Sequence, residues 1–210
     1  MVKPVLIFGG KSFGKVAVEI FKSNQVEIFG ILDDDKDLHG TEINDISILG
    51  ATDDETYLKM LGDNCDAFLA FDDNRLKKSL IGLLNENYKV MPVNAIHKSA
   101  TLAASAEIHY GSLINMGCCI GANTQIGNHC IVNTGALIDH ESKIADYVQI
   151  GANSVINCNV TIEEGAFIGS GVTVVSGITI GKNARVGAGS VVIENVKAGS
   201  TVFGNPAKAV

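Results

Sequence analysis

Aliphatic residues recur at every sixth position through the second half of the chain. Seventeen consecutive positions of this series, from Ile96 to Val192, hold only isoleucine, leucine or valine. The residue after the aliphatic one is often glycine, and the fifth residue of the hexad is mostly small. A period of six matches neither the turn of an α-helix nor the alternation of a β-strand. It is typical of a hexapeptide-repeat β-helix, in which short strands stack their aliphatic side chains along one core.

The part of the chain before the repeat has a different pattern, in which apolar strands alternate with amphipathic helices. The pattern predicts strands at 5–8, 26–32, 67–71 and 89–92, and helices at 15–23, 54–61 and 74–86. Such alternation predicts a small Rossmann-like domain with a mostly parallel sheet. Because the period changes just after Pro92, we place the domain boundary between Val93 and Asn94. The chain is therefore expected to contain an α/β domain at 1–93 and a β-helix domain at 94–210.

Composition and charge argue against several classes of protein. The 210 residues have a formal charge of −7 and a pI near 5.1, whereas a nucleic-acid-binding face is basic. No apolar run reaches the roughly 18 residues of a membrane span, and the N-terminal apolar run is too short for a signal peptide. The five cysteines are odd in number and lack CxxC spacing, which favours reduced thiols in the cytoplasm over a disulfide framework.

A glycine-containing loop, Gly9 to Gly14, joins the first predicted strand to the first predicted helix. Backbone N–H groups and the helix dipole can hold a phosphate at such a junction. A dinucleotide fingerprint would need glycine in place of Lys11, and a Walker A loop would need a hydroxyl in place of Val16. The remaining interpretations are a looser pyrophosphate cradle, in which Asp33 or Asp34 contacts the ribose or base, and a tight turn with solvated acids.

One hexad places Asp139, His140 and Glu141 in succession at a predicted turn. An imidazole takes up a proton near neutral pH, and a neighbouring carboxylate can fix its tautomer, so His140 is a candidate general base. With three hexads per turn, residues 18 apart stack, which puts Cys158 beside His140 on the next coil. The backbone N–H of Cys158 is then a candidate donor to an oxyanion. The alternative interpretation is a structural or surface histidine, which we adopt for the other four: His39, His97, His109 and His129.

Four segments together resemble one family: the glycine loop, Leu32–Asp35 (LDDD), Ile138–Ser142 (IDHES) and Gly204–Lys208 (GNPAK). Over essentially its whole length the chain is similar to the sialic-acid O-acetyltransferase (NeuD-type) and nucleotide-sugar N-acetyltransferase (PglD-type) group of hexapeptide-repeat acyltransferases. The resemblance implies a left-handed parallel β-helix, a homotrimer with active sites between subunits, and acetyl-CoA as co-substrate. It also implies acetyl transfer to the amine of a nucleotide-linked amino sugar, a step in glycan and polysaccharide biosynthesis.

The resemblance further implies roles for particular residues. His140 matches the family's general base and Glu141 its carboxylate neighbour. The implied substrate-binding residues are Gly10, Lys11, Ser12, Asp33, Asp34 and Asn133. The residues expected to contact acetyl-CoA are Gln149, Cys158, Ser170 and Ala188, and no metal ligand is implied. Two positions depart from the family pattern, since Gln149 and Phe13 stand where the family often has histidine. In this interpretation residues 1–93 bind the nucleotide sugar and residues 94–210 transfer the acyl group.

The favoured mechanism is direct transfer, in which His140 takes the proton of the amine as the amine attacks the thioester. Cys158 is a weaker candidate nucleophile because nothing nearby in the sequence lowers the pKa of its thiol. O-acetylation of a sialic-acid-like sugar would use the same residues and is the first alternative. A metal-dependent hydratase would need three converging histidines, and His109, His129 and His140 lack the required close pair. A non-catalytic nucleotide-sugar-binding scaffold is the last alternative.

Overall fold

The computed structural model describes residues 3–210 and divides the chain into two compact units, one ending at Lys98 and one running from Ser99 to Val210. The boundary drawn by contacts therefore follows Lys98, whereas the sequence places it after Val93. The division of labour between a nucleotide-sugar-binding domain and an acyltransferase domain stays a prediction. Within residues 3–210, no helix combines the length and the hydropathy that crossing a membrane requires.

The first unit contains a five-stranded, mostly parallel sheet with helices between its strands. Its strands are β1 (Val5–Phe8), β2 (Ile28–Leu32), β3 (Glu42–Ile43), β4 (Ile46–Gly50) and β5 (Asp66–Leu69), in the spatial order β3-β4-β2-β1-β5. Its helices are α1 (Ser12–Ser23), α2 (Glu55–Leu58) and α3 (Asn74–Tyr88), with a 3₁₀ turn at Lys36–Leu38 and a short strand β6 (Ala95–Ile96). Strand β1 is buried along its whole length, as a central parallel strand between helices is. The predicted Rossmann-like class is confirmed.

Two local features of this unit differ from the sequence prediction. The predicted strand at 89–92 is wrong, because Lys89 caps α3 in the left-handed conformation and Pro92 has no N–H to donate. A hairpin that the sequence analysis missed joins β3 to β4 through Asn44 and Asp45, with φ of +46° and +64°. Two central residues with positive φ are the signature of a type I′ turn, which asparagine and aspartate tolerate. The hairpin brings the antiparallel strand β3 to the edge of the sheet.

The second unit is a coil of two-residue strands that form three parallel faces, which we number I to III. Face I contains β9 (Leu113–Ile114), β12 (Ile131–Val132), β15 (Gln149–Ile150), β18 (Phe167–Ile168) and β21 (Arg185–Val186), and is extended by β23 (Thr201–Gly204) and β24 (Ala207–Ala209). Face II contains β7 (Thr101–Leu102), β10 (Cys119–Ile120), β13 (Leu137–Ile138), β16 (Val155–Ile156), β19 (Thr173–Val174) and β22 (Val191–Val192). Face III contains β8 (Glu107–Ile108), β11 (Gln125–Ile126), β14 (Lys143–Ile144), β17 (Thr161–Ile162) and β20 (Thr179–Ile180).

The hexad repeat explains both the register and the core of this coil. Ile138 pairs with Ile156 in parallel register, so one complete coil is three hexads. Both side chains point into the coil and are fully buried. Ser142 and Ser154, at the small fifth position, are also fully buried, and their hydroxyls donate to backbone carbonyls of the next coil at 3.0 and 2.9 Å. The predicted left-handed parallel β-helix is confirmed.

The fourth residue of each hexad has a left-handed backbone. Every sixth residue from Gly111 to Gly189 has a φ between +54° and +75°. Glycine and asparagine, which adopt this conformation at little cost, fill most of these positions. The exceptions are His129, Glu141 and Tyr147. The coil therefore places Glu141 at a position whose backbone geometry favours glycine or asparagine.

Candidate active site

The glycine loop of the first unit lies at the edge of a cavity of about 510 Å³. The loop turns sharply at Gly9, whose φ is +105°, and a side chain at Gly14 would approach the Gly9 carbonyl oxygen to 2.1 Å. Helix α1 starts within this segment, at Ser12, and no side chain caps its first turn. The N–H groups of that turn lack intrahelical partners and favour an anion, so this end of α1 is suited to a phosphate group.

The carboxylate of Asp33 braces this loop from the end of β2. Asp33 is 5% exposed, and its two oxygens accept hydrogen bonds from the Gly10 N–H at 2.7 Å and the Asp35 N–H at 2.8 Å. Asp34 accepts from both the backbone N–H and the hydroxyl of Thr52, each at 2.8 Å. Asp33 and Asp34, the two predicted nucleotide-binding carboxylates, thus stabilise the walls of the cavity through hydrogen bonds within the chain. Their contact with a nucleotide stays a prediction.

Lys11 lies at the mouth of the same cavity and forms an ion pair with Asp35 at 3.0 Å. The hydrogen bond between them lowers the pKa of the Asp35 carboxyl and raises the pKa of the Lys11 ammonium. Both side chains are more than one-third exposed. The lysine is therefore free to exchange Asp35 for another anion at little cost, since exposed pairs are weak. The ion pair between Lys11 and Asp35 was not predicted from the sequence, in which only the run of three aspartates points to it.

Apolar side chains form the rest of the cavity wall. Phe13, Phe71 and Leu76 line it beside Asp72 and the N-cap of α3, Asp73. Phe13 occupies the position at which the sequence departs from the histidine of the family pattern. A mixed wall of aromatic and carboxylate groups beside an anion-binding helix end can hold a nucleotide, with the base against the apolar part. Phe71 and Leu76 were not predicted, because their positions on separate elements carry no motif.

His140 lies on the corner of the coil where the chain passes from face II to face III, which we call the II–III corner. Its ring Nδ1 lies 2.9 Å from Asp139 Oδ1, and the same oxygen accepts the backbone N–H of His140 at 2.8 Å. A carboxylate at this distance favours the tautomer with the proton on Nδ1, which leaves Nε2 as an acceptor. The hydrogen bond also lowers the pKa of the Asp139 carboxyl. Because half of the His140 side chain is exposed, a substrate can reach it.

Glu141, the predicted carboxylate neighbour, makes no hydrogen bond to the imidazole within the described part of this chain. Its side chain is exposed and has no hydrogen bond or ion pair to the residues described, 3–210. Its backbone φ is +57°. Retention of a side chain in a left-handed conformation costs on the order of 1 kcal/mol, and strain of this kind is common at functional positions. The structure thus brings Asp139 to the imidazole, and the role of Glu141 stays a prediction.

The strain at Glu141 leads to a first testable prediction. We expect Glu141→Asn to raise the stability of the protein by about 0.5–1 kcal/mol, because asparagine tolerates this backbone conformation. The melting temperature should rise by roughly 2–4 °C for each kcal/mol in a chain of this size. The matched control is Glu194→Asn, an exposed glutamate of the same unit that also has no side-chain hydrogen bond or ion pair and whose φ is not positive. A drop in melting temperature for Glu141→Asn would show that the glutamate itself stabilises the turn.

Cys158 stacks on His140 from the next coil, as its spacing predicts. Its thiol donates to Ser176 Oγ at 3.2 Å, and the coils are joined by a hydrogen bond from Asn159 N–H to the His140 carbonyl at 3.1 Å. Within residues 3–210 the backbone N–H of Cys158 has no partner. A free N–H beside the imidazole fits the predicted oxyanion donor. That role stays a prediction.

The other predicted coil residues lie on the I–II corner, where the chain passes from face I to face II. Asn133 lies there half-buried, with its amide donating to the Ile150 carbonyl at 3.2 Å. Ser170 and Ala188 lie there one coil apart and are exposed. A side chain at Gly169 would approach Ala188 N to 2.5 Å, so only small residues fit this corner. Gln149 lies apart from both corners, on strand β15 of face I.

Apart from Gln149, the predicted site residues of the coil therefore occupy the two corners that border face II. His140 and Cys158 lie on one edge of this face, and Asn133, Ser170 and Ala188 lie on the other. Within one chain, face II separates these two groups. Residues from the two corners can meet across a seam only if one of them belongs to another copy of the coil.

Comparisons with protein families and known structures agree over both units. The PglD N-terminal domain matches residues 4–84, and bacterial transferase hexapeptide repeats match residues 141–176 and 159–194. A variant of perosamine N-acetyltransferase from Caulobacter crescentus, solved with CoA and GDP-perosamine, is 31% identical with a TM-score of 0.89, covering 100% of this chain and 98% of that one. Among curated proteins, none matches the chain.

Two further solved structures match the complete chain at lower identity. The acetyltransferase domain of PglB from Neisseria gonorrhoeae, solved with acetyl coenzyme A, is 26% identical with a TM-score of 0.90, and both chains are covered completely. WeeI from Acinetobacter baumannii is 26% identical with a TM-score of 0.86, again with complete coverage of both chains. The similarity thus extends over both units.

Proposed function

Because the chain belongs to the PglD-type family of hexapeptide-repeat acetyltransferases, we propose that it transfers the acetyl group of acetyl-CoA to the amine of a nucleotide-linked amino sugar. The observation that carries the proposal is the Asp139–His140 pair, exposed on a corner of a coil that matches a perosamine N-acetyltransferase over its whole length. The chain is accordingly an acyltransferase. Acetyl-CoA is its co-substrate, and CoA or acetyl-CoA is present in the structures of its relatives.

His140 acts as the general base in this proposal. Asp139 holds the imidazole through Nδ1, so that Nε2 accepts a proton from the attacking nitrogen. The nitrogen lone pair forms a bond to the thioester carbonyl carbon, and the carbonyl π electrons move to oxygen. Collapse of this tetrahedral species re-forms the carbonyl, breaks the carbon–sulfur bond and releases CoA thiolate, which takes up a proton. A general base contributes about 10²–10⁴-fold to such a step.

The backbone N–H of Cys158 stabilises the oxygen of the tetrahedral species. It lies on the coil next to His140 and has no partner among residues 3–210. Donors of this kind contribute about 3–4 kcal/mol when they point at the developing oxyanion. Because the coil backbone is fixed by hydrogen bonds on both sides, the donor needs no rearrangement during the reaction.

The cavity of the first unit binds the nucleotide part of the substrate. The first turn of α1 and Lys11 hold the diphosphate, with Ser12 and Gly10 in the same loop. Lys11 exchanges its exposed partner Asp35 for a phosphate oxygen. Asp33 and Asp34 act mainly by fixing the loop and the end of β2, since their oxygens already accept hydrogen bonds from this chain.

We propose a homotrimer in which face II lies between subunits. Four of its six outward residues are apolar, Cys119, Leu137, Val155 and Val191, and the other two are the threonines Thr101 and Thr173. The outward residues of face III are polar or charged: Glu107, Gln125, Lys143, Thr161 and Thr179. Covering face II removes an exposed apolar strip from water. It also allows the I–II corner of one copy to face the II–III corner of another.

Acetyl-CoA lies in the seam that such packing creates. The exposed backbone of Ser170 and Ala188 accommodates the pantetheine arm, because glycine and other small residues at this corner have no long side chains that would fill the space above the backbone. Gln149, on face I, replaces a histidine of the family and can still donate a hydrogen bond to a carbonyl. We place the reaction in the cytoplasm, where the five free thiols stay reduced. The product serves glycan or polysaccharide biosynthesis.

The mechanism predicts that Asp139 contributes to turnover by orienting His140. We expect Asp139→Asn to lower kcat by about 10- to 100-fold, less than loss of a buried triad carboxylate, because Asp139 is 42% exposed. The matched comparison is Glu141→Gln on the same corner, for which we expect a smaller loss. Steady-state kinetics with saturating acetyl-CoA measure both. A larger loss in Glu141→Gln would assign the orienting role to Glu141.

The acceptor test separates amine from hydroxyl acetylation. The purified protein is incubated with acetyl-CoA and nucleotide sugars that differ only in carrying an amine or a hydroxyl at one ring carbon. Mass spectrometry is expected to find one added acetyl group on the amine only. Acetylation of the hydroxyl compound alone would replace the proposal with O-acetylation. Binding of a nucleotide sugar without acetylation of either compound would favour the scaffold.

A further inference from the structure

Three different metal-ligating side chains converge at the II–III corner. One donor atom each of Asp139, His140 and Cys158 lies within 4.8 Å of the other two. They come from two successive coils and supply an oxygen, a nitrogen and a sulfur. The three donors do not form a three-histidine pattern in the sequence. They come together only because residues 18 apart stack on successive coils.

The backbone holds these donors in place. Ile138 pairs with Ile156 immediately before the two turns, and Asn159 N–H donates to the His140 carbonyl between them. Ser176 on the third coil accepts the Cys158 thiol at 3.2 Å, which orients the sulfur from the opposite side. The relative positions of the three Cα atoms are thus set by the coil. Only side-chain rotation is needed to bring the donors closer.

We propose that the II–III corner binds Zn²⁺ through Asp139, His140 and Cys158 and that the bound ion silences the general base. Zinc accepts mixed oxygen, nitrogen and sulfur ligands at about 2.0–2.3 Å, and three protein ligands leave a fourth position for water. Rotation of the exposed Asp139 and His140 side chains closes the group to those lengths. The thiol loses its proton on binding, so one carboxylate and one thiolate balance the charge of the ion.

Zinc bound to either ring nitrogen of neutral His140 leaves the ring proton on the other nitrogen, so the imidazole cannot also accept a proton from the substrate. The ion also draws Asp139 or Cys158 out of its present contact. Zinc binding and catalysis at this corner are therefore mutually exclusive. The binding part of the inference is independent of the reaction, whereas the silencing part rests on the proposed function.

Cadmium titration of the full-length protein tests the binding part, because a cadmium–thiolate bond has a charge-transfer absorption in the ultraviolet. The protein is first freed of metal with a chelator. We expect the band to saturate at one ion per chain in the unchanged protein and to be lost in Cys158→Ser. The matched control Cys119→Ser removes the exposed thiol of face II and should keep the band. Retention of the band in Cys158→Ser, or its absence in the unchanged protein, overturns the site.

Competition with a zinc indicator tests the other ligands and the silencing. His140→Ala is expected to weaken zinc binding by about tenfold or more. Acetyl transfer by the unchanged protein should fall in proportion to zinc occupancy and return when a chelator is added. Turnover that continues at full occupancy overturns the silencing. Saturable zinc binding in a protein that acetylates no acceptor would leave the metal site standing and reject the proposed function.

Discussion

His140→Ala is expected to lower kcat by about 10²–10⁴-fold, the contribution of a positioned general base. Alanine cannot accept the proton that the amine must lose. Because the proposed nucleotide site lies in the first unit, we expect the KM for the nucleotide sugar to change by less than about threefold. Initial rates of CoA release over a range of both substrates measure the two constants separately.

The control for this variant is His109→Ala. His109 is also exposed, and it follows strand β8 of face III on an earlier coil rather than lying at the II–III corner. Its replacement is expected to leave kcat unchanged. Retention of more than one-tenth of the original kcat by His140→Ala would remove the histidine from the mechanism. Equal losses in both variants would indicate damage to the coil.

Val155→Arg is expected to dissociate the proposed homotrimer and abolish most acetyl transfer. Val155 lies in the middle of face II, and an arginine there would be buried between subunits without a partner. An unpaired buried charge costs about 3–5 kcal/mol, which weakens association by roughly 10²–10³-fold or more. Light scattering should give the mass of one 22.1 kDa chain in place of three times that mass.

The matched control is Thr161→Arg on the next hexad of the same coil. Thr161 is also half-buried and outward-facing, but it lies on face III. We expect this variant to stay trimeric and active. A trimeric Val155→Arg together with a dissociated Thr161→Arg would move the interface to face III.

The hexad pattern was sufficient to predict the coil, because every buried position of a β-helix repeats at a fixed interval. It was also sufficient to place Cys158 beside His140, since that contact depends only on the count of residues per coil. The carboxylate that contacts the imidazole could not be predicted from the repeat. Asp139 and Glu141 flank His140 equally in sequence, and only the structure shows that Asp139 contacts the imidazole and that Glu141 has a left-handed backbone.

The nucleotide cavity shows a second limit of sequence reasoning. An acidic residue at the end of β2 predicts a ligand contact, and Asp33 does lie at the cavity. The sequence cannot show that the glycine loop folds back far enough for Gly10 N–H to reach this carboxylate. The hairpin between β3 and β4 was also not predicted from the sequence. Its turn lacks the glycine that marks most type I′ turns, and β3 is only two residues long.

The most direct test of the account is a crystal structure of the protein with CoA and the nucleotide amino sugar that it acetylates. We predict that the amine nitrogen lies about 2.6–3.2 Å from His140 Nε2, with the CoA sulfur in the seam between two copies of face II. An amine bound beyond hydrogen-bond distance of every His140 in the assembly would contradict the central claim. The coil and the cavity would stand, and the base would have to be sought elsewhere.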